Sequence, residues 1–262
     1  MARAAARSAA WRTRGLTLAS LAVFFVVWQL SGLVLNPLLV STPVEVAKAE
    51  VAVLAEGYLI RDLLLGFREM YLGWGAATVV GIAVGLFMGR FRFVERLLGL
   101  YVDFMNGTPG IALVPLMIIW LGLGLRTRVV FIFVVTLWPI LLNSIAGVKN
   151  VSRGYIEVGQ TFGLSESQLM WKIAVPAAIP YILAGMRISA GRAVIALIIG
   201  QIEVASVGVG KMLLDTGMSF QTARFFAVFM CTSSLGLANV GIVKWAQRTW
   251  FAWVAATSAA SR

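Results

Sequence analysis

The chain has 262 residues, 60% of them hydrophobic and 13% charged, with a mean hydropathy of +0.90 and a net charge of +11. Ordinary soluble domains are roughly 45–50% apolar and about 25% charged, so one water-soluble core cannot hide this excess and lipid must cover much of it. A single cysteine, Cys231, and the lack of histidine exclude an intrachain disulfide framework and a Cys/His zinc or other such metal site. In so apolar a chain, the basic balance points to cytoplasmic loops and anionic membrane lipid, not nucleic acid.

At about 20 residues per crossing, the length leaves room for five to seven spans. The opening residues, MARAAARSAAWRTR, are basic and precede an apolar run from Leu16 to Leu35. A cleaved signal has an apolar region of only about 7–15 residues. This run is longer and meets Asn36-Pro37 without an A-x-A-like site, so it reads as an uncleaved first span over 16–35. Thr42-Pro43 then opens VEVAKAEVAVLAEGYL. Threonine is a good N-cap and proline fits a first helical turn, which predicts a short surface helix. The second span, 65–89, carries Gly81, Gly85 and Gly89 on one helix face. Such a ridge admits a close neighbour, either another helix of the same chain or the seam of a dimer.

A basic turn at Arg90, Arg92 and Arg96 leads into an interrupted region, 97–125. Gly107-Thr108-Pro109-Gly110 breaks the helix, because proline lacks the amide donor and glycine loosens the backbone. Irregular backbone at membrane depth survives only when buried in protein or lining a cavity. The break therefore marks either the pore or an entry turn at the membrane surface. A third span over 109–125, or one beginning before the break, is followed by a brief loop with Arg126 and Arg128 and a fourth span over 129–148. A polar island fills 149–176. The fifth span, 178–204, a loop with Gly208, Gly210 and Lys211, and a sixth span, 222–246, complete the pattern. The fold class is all-α, a polytopic membrane protein of about six transmembrane helices. Its parts are a basic amino-terminal segment with the first span and an external segment (1–62), a core (63–246) and a tail (247–262).

With the amino terminus in the cytoplasm, Arg3, Arg7, Arg12, Arg14, Arg90, Arg92, Arg96, Lys149, Arg153, Lys172, Lys244, Arg248 and Arg262 fall inside. Lys48, Arg61, Arg126, Arg128 and Lys211 fall outside. Thirteen against five favours this orientation by the positive-inside rule, and it places the polar island in the cytoplasm.

Within the island, Tyr155 to Phe162 can make two helical turns, and Gly163 suits the left-handed position that ends them. Ser165 with Gln168 reads as a capping box for a second short helix. That helix carries Leu169, Met170, Trp171 and Ile173 toward Pro176, and Pro176 and Pro180 delimit the approach to the fifth span. Helices this short are marginal alone. They need a docking surface, supplied either by a partner or by the chain's own spans.

Glu157, Gly163, Ile173 and Pro176 stand at the spacing E-x-x-x-x-x-G-x9-I-x-x-P. That spacing resembles the cytoplasmic coupling loop, the EAA loop, of permease subunits in bacterial ABC importers. The stretch GTPGIALVPLMIIWLGLG from Gly107, the segment NSIAGVKNV from Asn143, Gly185-Met186-Arg187 and Gly208-Val209-Gly210 are similar to landmarks of the sulfonate/taurine/nitrate group. The resemblance implies a type I importer permease-like fold and a non-enzymatic pore subunit moving a small, anionic solute inward. It implies that Glu157, Val158, Gly159, Gly163, Leu164, Ile173 and Pro176 shape the contact with an ATPase, the loop lying at 153–176. It also implies a second permease copy in a homodimer, two cytoplasmic ATPase subunits that hold ATP-Mg, and a periplasmic or external substrate-binding protein. This chain then needs no cofactor of its own and sits in the inner (plasma) membrane of a bacterial cell.

The sequence departs from the family pattern in places. The two alanines after the glutamate are Val158 and Gly159, the leucine before the proline is Val175, and a frequent acid before the Gly-x-Gly is Gln201, with Glu203 nearby. Asn106, Thr108, Pro109, Asn143, Arg187 and Gln201 are the pathway candidates.

Polar residues within the spans have plainer roles open to them. Arg187 and Arg192 on the fifth span suit structural pairing or snorkelling, or else contact with an anion. Asp103, Asn106, Asn143 and Asn239 suit hydrogen bonds between helices, Glu203 suits a surface ion pair and Cys231 suits packing. VGVGKM at 207–212 is not a Walker loop, since Ala205 replaces the first glycine and Met212 follows the lysine. An ion-coupled secondary transporter would show repeat halves and ionisable midplane residues, and the sequence shows no convincing repeat and few mid-span acids. A membrane enzyme would need a carboxylate cluster or a nucleophile with its base, and none stands out.

Overall fold

The computed structural model describes residues 2–36, 38–204 and 207–251, and every regular element among them is helical. The order is α1 (Ala2–Val34), α2 (Pro43–Ala55), α3 (Tyr58–Arg90), α4 (Arg92–Gly107), a 3-10 turn (Gly110–Leu113), α5 (Val114–Leu121) and α6 (Leu125–Lys149). Then come α7 (Arg153–Thr161), α8 (Glu166–Leu169), a π-helical turn (Met170–Ala174), α9 (Val175–Val204), α10 (Val209–Met218) and α11 (Thr222–Trp250). Among the described residues, five helices are long and apolar enough to cross a membrane. The pair Arg92–Gly107 and Gly110–Leu121, bent by 99°, makes a sixth crossing when taken as one span. Taken so, the third span begins before the break, with the glycine-proline sequence as its corner.

The chain divides into two compact units. The first runs up to Arg61 and takes in 212–231. In it the Trp28 indole donates to the Ser41 carbonyl at 3.0 Å, and its ring lies 6.0 Å from that of Phe226. A Cβ at Gly32 would lie 2.8 Å from the Thr42 methyl, so the α1 backbone passes directly against the start of α2. Helix α2 opens on the expected Thr42 cap with Pro43 in the first turn. Glu45 completes a reciprocal box, accepting from the Thr42 amide at 2.8 Å. Arg224 pairs with Glu56, and the Cys231 thiol reaches Glu50 at 3.2 Å, a polar contact beyond the packing role expected of it.

The second unit holds 62–211 and the chain from 232 onward, and it is built around α6. Lipid tails are as apolar as leucine, so helices in a bilayer are held by close packing and hydrogen bonds. Glycines make that approach possible here. A Cβ at Gly73 would meet the Val129 carbonyl at 2.7 Å, at Gly81 the Ile140 side chain at 3.1 Å, at Gly85 Ser144 at 2.6 Å and at Gly89 Val148 at 2.7 Å. The glycine ridge of α3 is therefore filled by α6 of the same chain, and the dimer-seam reading of it falls away. On another side, Gly185 of α9 sits against the Pro139 carbonyl and Gly147 of α6 against Ala178. Phe131, Ile132, Ile140, Met70, Ala190, Ala193 and Ala196 fill the core between these helices.

Polar groups inside the unit are matched. Arg128, expected in an external loop, lies in the first turns of α6 and is 9% exposed. Gly122 and Gly124, at φ of 77° and 130°, make the turn that starts α6 earlier than the hydropathy suggests. The Arg128 guanidinium donates to both Glu69 carboxylate oxygens, at 3.0 and 2.5 Å. Gln201 donates to the same carboxylate at 3.2 Å and accepts from the Gly210 amide at 3.0 Å, so one buried network joins α3, α6, α9 and α10. Asn239 acts as expected between helices, accepting from Tyr71 at 2.6 Å and donating to the Ala190 carbonyl. Asn143 instead donates to the Pro139 carbonyl of its own helix, one turn back. Removing one member of a buried pair strands the other charge, at about 3–5 kcal/mol, whereas replacing both by apolar groups is near neutral. Glu69→Ala is therefore expected to lower the unfolding midpoint sharply in detergent, and Glu69→Met combined with Arg128→Leu to restore most of it.

Candidate functional site

The polar island folds as an elbow between α6 and α9. Helix α7 ends at Thr161, and Gly163 follows at φ 72°, where only glycine is at ease. The Gly163 amide bonds the Gln160 carbonyl at 2.9 Å, closing the corner. The Ser165 hydroxyl accepts from the Gln168 amide at 3.3 Å while the Gln168 side chain accepts from the Ser165 amide at 2.9 Å, so the predicted capping box is formed.

The exit from the elbow differs from the expectation. Pro176 and Pro180 do not interrupt the chain, and Glu166–Val204 runs as one continuous helical stretch of 39 residues. A π turn at Met170–Ala174 makes this possible. The Val175 amide bonds the Met170 carbonyl five residues back, a wider turn that carries the backbone past the proline without an i−4 donor.

The two limbs of the elbow meet at Gly159. A Cβ there would lie 2.6 Å from Leu169 Cδ2 and 2.7 Å from Ile173 Cδ1. Leu169, Met170 and Ala174 are buried beneath it. The outer surface holds an open groove of about 500 Å³ lined by Tyr155, Val158, Gly159, Phe162, Leu164, Lys172, Ile173, Pro176 and Ala177. Phe162 is 81% exposed and Tyr155 67%, and Trp171 beside them is 61% exposed. Together they form an exposed aromatic rim on a polar segment.

Of the residues expected to make the coupling contact, Val158, Gly159, Leu164, Ile173 and Pro176 line this groove. Gly163 forms its corner, and Glu157 lies exposed on another face of α7, with its carbonyl accepting from Thr161. Sequence reasoning passed over Tyr155 and Phe162, whose signal was an aromatic pair four residues before and three after Gly159, on the same helix face.

Two ion pairs tie the elbow region to its neighbours. Glu166, the first residue of α8, pairs with Arg90 at the end of α3, and Lys149 at the end of α6 pairs with Glu95 of α4 at 2.5 Å. The pathway candidates are not gathered into one site. Asn106 lies in the last turn of α4, and Thr108 and Pro109 lie at the bend after it. Arg187 donates to Gln247 at 2.9 Å, the structural pairing open to it, and Arg192 and Glu203 are exposed. Gln201, 1% exposed, is committed to the network with Glu69 and Gly210.

A helical multispanning chain with a polar, aromatic-faced elbow between two spans has the build of a transporter permease. The sequence matches the family of binding-protein-dependent transport system inner membrane components over residues 77–256, and the chain belongs to that family. It is 30% identical over 209 residues to the taurine transport system permease protein of Escherichia coli, covering 77% of this chain and 76% of that one. To the nitrate import permease protein of Synechocystis it is 28% identical over 229 residues, covering 83% and 82%. Its fold is similar to a chain of the inward-facing MetNI methionine ABC transporter, with a TM-score of 0.62 at 17% identity, covering 75% of this chain and 96% of that one. The chain is thus the membrane-embedded permease subunit of an ABC importer, not an enzyme, and ATP hydrolysis belongs to a separate subunit.

The contact at Gly159 gives a test of the elbow itself. Leu169 and Ile173 present flexible side-chain tips, so Gly159→Ala is expected to leave the elbow as resistant to limited proteolysis as the parent. Gly159→Leu adds bulk that the joint cannot absorb, with a strain of about 1–3 kcal/mol, and is expected to speed cleavage between 153 and 174.

Proposed function

We propose that the groove on the elbow is the socket for a cytoplasmic ATPase, and that two copies of this chain with two ATPases form the importer. The exposed aromatic rim over a glycine-tight joint carries this reading, because such apolar surface on a cytoplasmic segment needs a partner. Orientation supports it. With Arg128 buried against Glu69, the outside group of basic residues falls to four against thirteen inside, a bias that favours a cytoplasmic amino terminus and elbow in a bacterial plasma membrane. ATP-Mg is then held by the ATPase, and this chain carries no cofactor. An external binding protein delivers the solute on the opposite side. The named relatives belong to a taurine transport system and a nitrate import system, so the cargo proposed here is a small solute with an anionic group.

The mechanism follows from the joints. ATP-driven closure of the ATPases moves the elbow as a rigid lever. The lever is continuous with α9 through the π turn, joined to α6 through Asn150 and Val151, and pinned to α3 by the Arg90–Glu166 pair. An exposed ion pair adds little stability, but it fixes direction. A push on the socket therefore displaces the inner ends of α3, α6 and α9 together, which is the motion alternating access requires.

Gly163→Pro removes the Gly163 amide donor and forces φ near −65° where 72° is needed. The variant is expected to insert into the membrane normally yet lose both ATPase copurification and transport. Undiminished copurification would falsify the socket. The purified chain alone is expected to hydrolyse no ATP above buffer; turnover by it would overturn the division of labour.

A further inference from the structure

Helix α4 carries three distinct faces. Val94, Leu98 and Val102 pack on Trp138, Leu141, Leu142 and Ile145 of α6. Phe93, Leu100 and Phe104, at 76%, 76% and 71% exposed, form an apolar face that suits lipid. The third face is polar: Arg92, Arg96, Gly99, Asp103 and Asn106 fall within about 80° of arc at 3.6 residues per turn. The four side chains in this stripe are exposed and make no hydrogen bond or ion pair among the described residues. A Cβ at Gly99 or Gly107 would meet nothing within 4 Å, so the stripe faces open space.

An amphipathic helix can lie flat on a membrane with its polar face in water, but the neighbours of α4 exclude that pose. Glu95 pairs with Lys149 at the last turn of α6, while a Cβ at Gly110 would touch Val135, fourteen residues back along α6. Helix α4 and its corner therefore run antiparallel to a spanning helix over about 21 Å, at 1.5 Å per residue. Arg92 and Arg96 lie near the cytoplasmic end, where long stems reach headgroups. Asp103 and Asn106 lie roughly 10–21 Å deeper than these arginines, and their short side chains cannot. A carboxylate at that depth is not left facing lipid, and the irregular Gly107–Pro109 backbone at the end of the stripe also requires protein or a water-lined cavity.

We infer that the stripe Arg92, Arg96, Gly99, Asp103 and Asn106 is a wall of the aqueous passage for a hydrated polar solute, with guanidinium groups at the cytoplasmic mouth and a carboxylate and an amide at depth. The inference rests on the two-copy importer proposed above, whose second copy supplies the facing wall.

The test uses inside-out vesicles holding the complete transporter, with Cys231→Ser as the parent and single cysteines introduced by Gly99→Cys, Asp103→Cys, Asn106→Cys, Leu100→Cys and Phe104→Cys. The probe is a membrane-impermeant, anionic methanethiosulfonate, which reacts with thiolates and so needs water at the site. Modification at 99, 103 and 106 is expected to be at least about tenfold faster than at 100 and 104, since thiolate forms only where water reaches. Equal rates on the two faces, or faster reaction at 100 and 104, overturn the passage wall. Should Asp103→Cys fail to assemble, Gly99→Cys and Asn106→Cys decide the matter alone. ATPase copurification from the same vesicles separates the two readings. An unreactive stripe with the ATPase retained sinks the wall and spares the socket, and a reactive stripe with no ATPase bound does the reverse.

Discussion

The second unit depends on how closely other backbones approach α6. Gly73, Gly81, Gly85 and Gly89 bring α3 against one side of it, and Gly147 with Gly185 brings α9 against another. In a bilayer these contacts cannot be replaced by a general hydrophobic squeeze, because lipid competes equally for every apolar face. Shape does the selecting, and a side chain larger than hydrogen at these points would hold the helices apart. The buried Glu69–Arg128–Gln201 network fits within this packed frame. Its charges are tolerable because each is answered at hydrogen-bond distance by a neighbour that the glycines bring near.

That frame gives the elbow its use. A flexible loop between two spans would absorb a push; in the proposed coupling this one would pass it on, since its second limb is the first part of α9 and its joint is closed over Gly159. The departure from the family's alanine at position 159 has a physical reading: the limbs meet with no room for a methyl unless Leu169 and Ile173 shift. The π turn belongs to the same design. It lets a proline-bearing segment stay helical, so that lever and span are one piece.

A chain of this size meets two solvents beyond its own interior, and α4 shows how they are told apart. Its packed, exposed apolar and polar sides are set by residue spacing alone, but a helix can present such sides in several poses. Only the antiparallel run along α6, fixed by Glu95 with Lys149 and Gly110 with Val135, settles which pose applies.

Much was legible in the residues themselves. Long apolar runs are held to the helix by the demand that backbone groups be satisfied in lipid, and Thr42, Gly163 and the Ser165–Gln168 box act through neighbours within a few positions, so spans, corner and caps follow from local chemistry. Gly107–Gly110 broke the helix where expected for the same reason. What required the tertiary structure was every choice between distant partners. The sequence offers a glycine ridge without saying what fills it, an acid at Glu69 without its cation, and an arginine at 128 that charge alone would leave outside. Close packing around α6 decided all three, because pairing across helices depends on which backbones come within a few ångströms, and that distance is not written in any one segment.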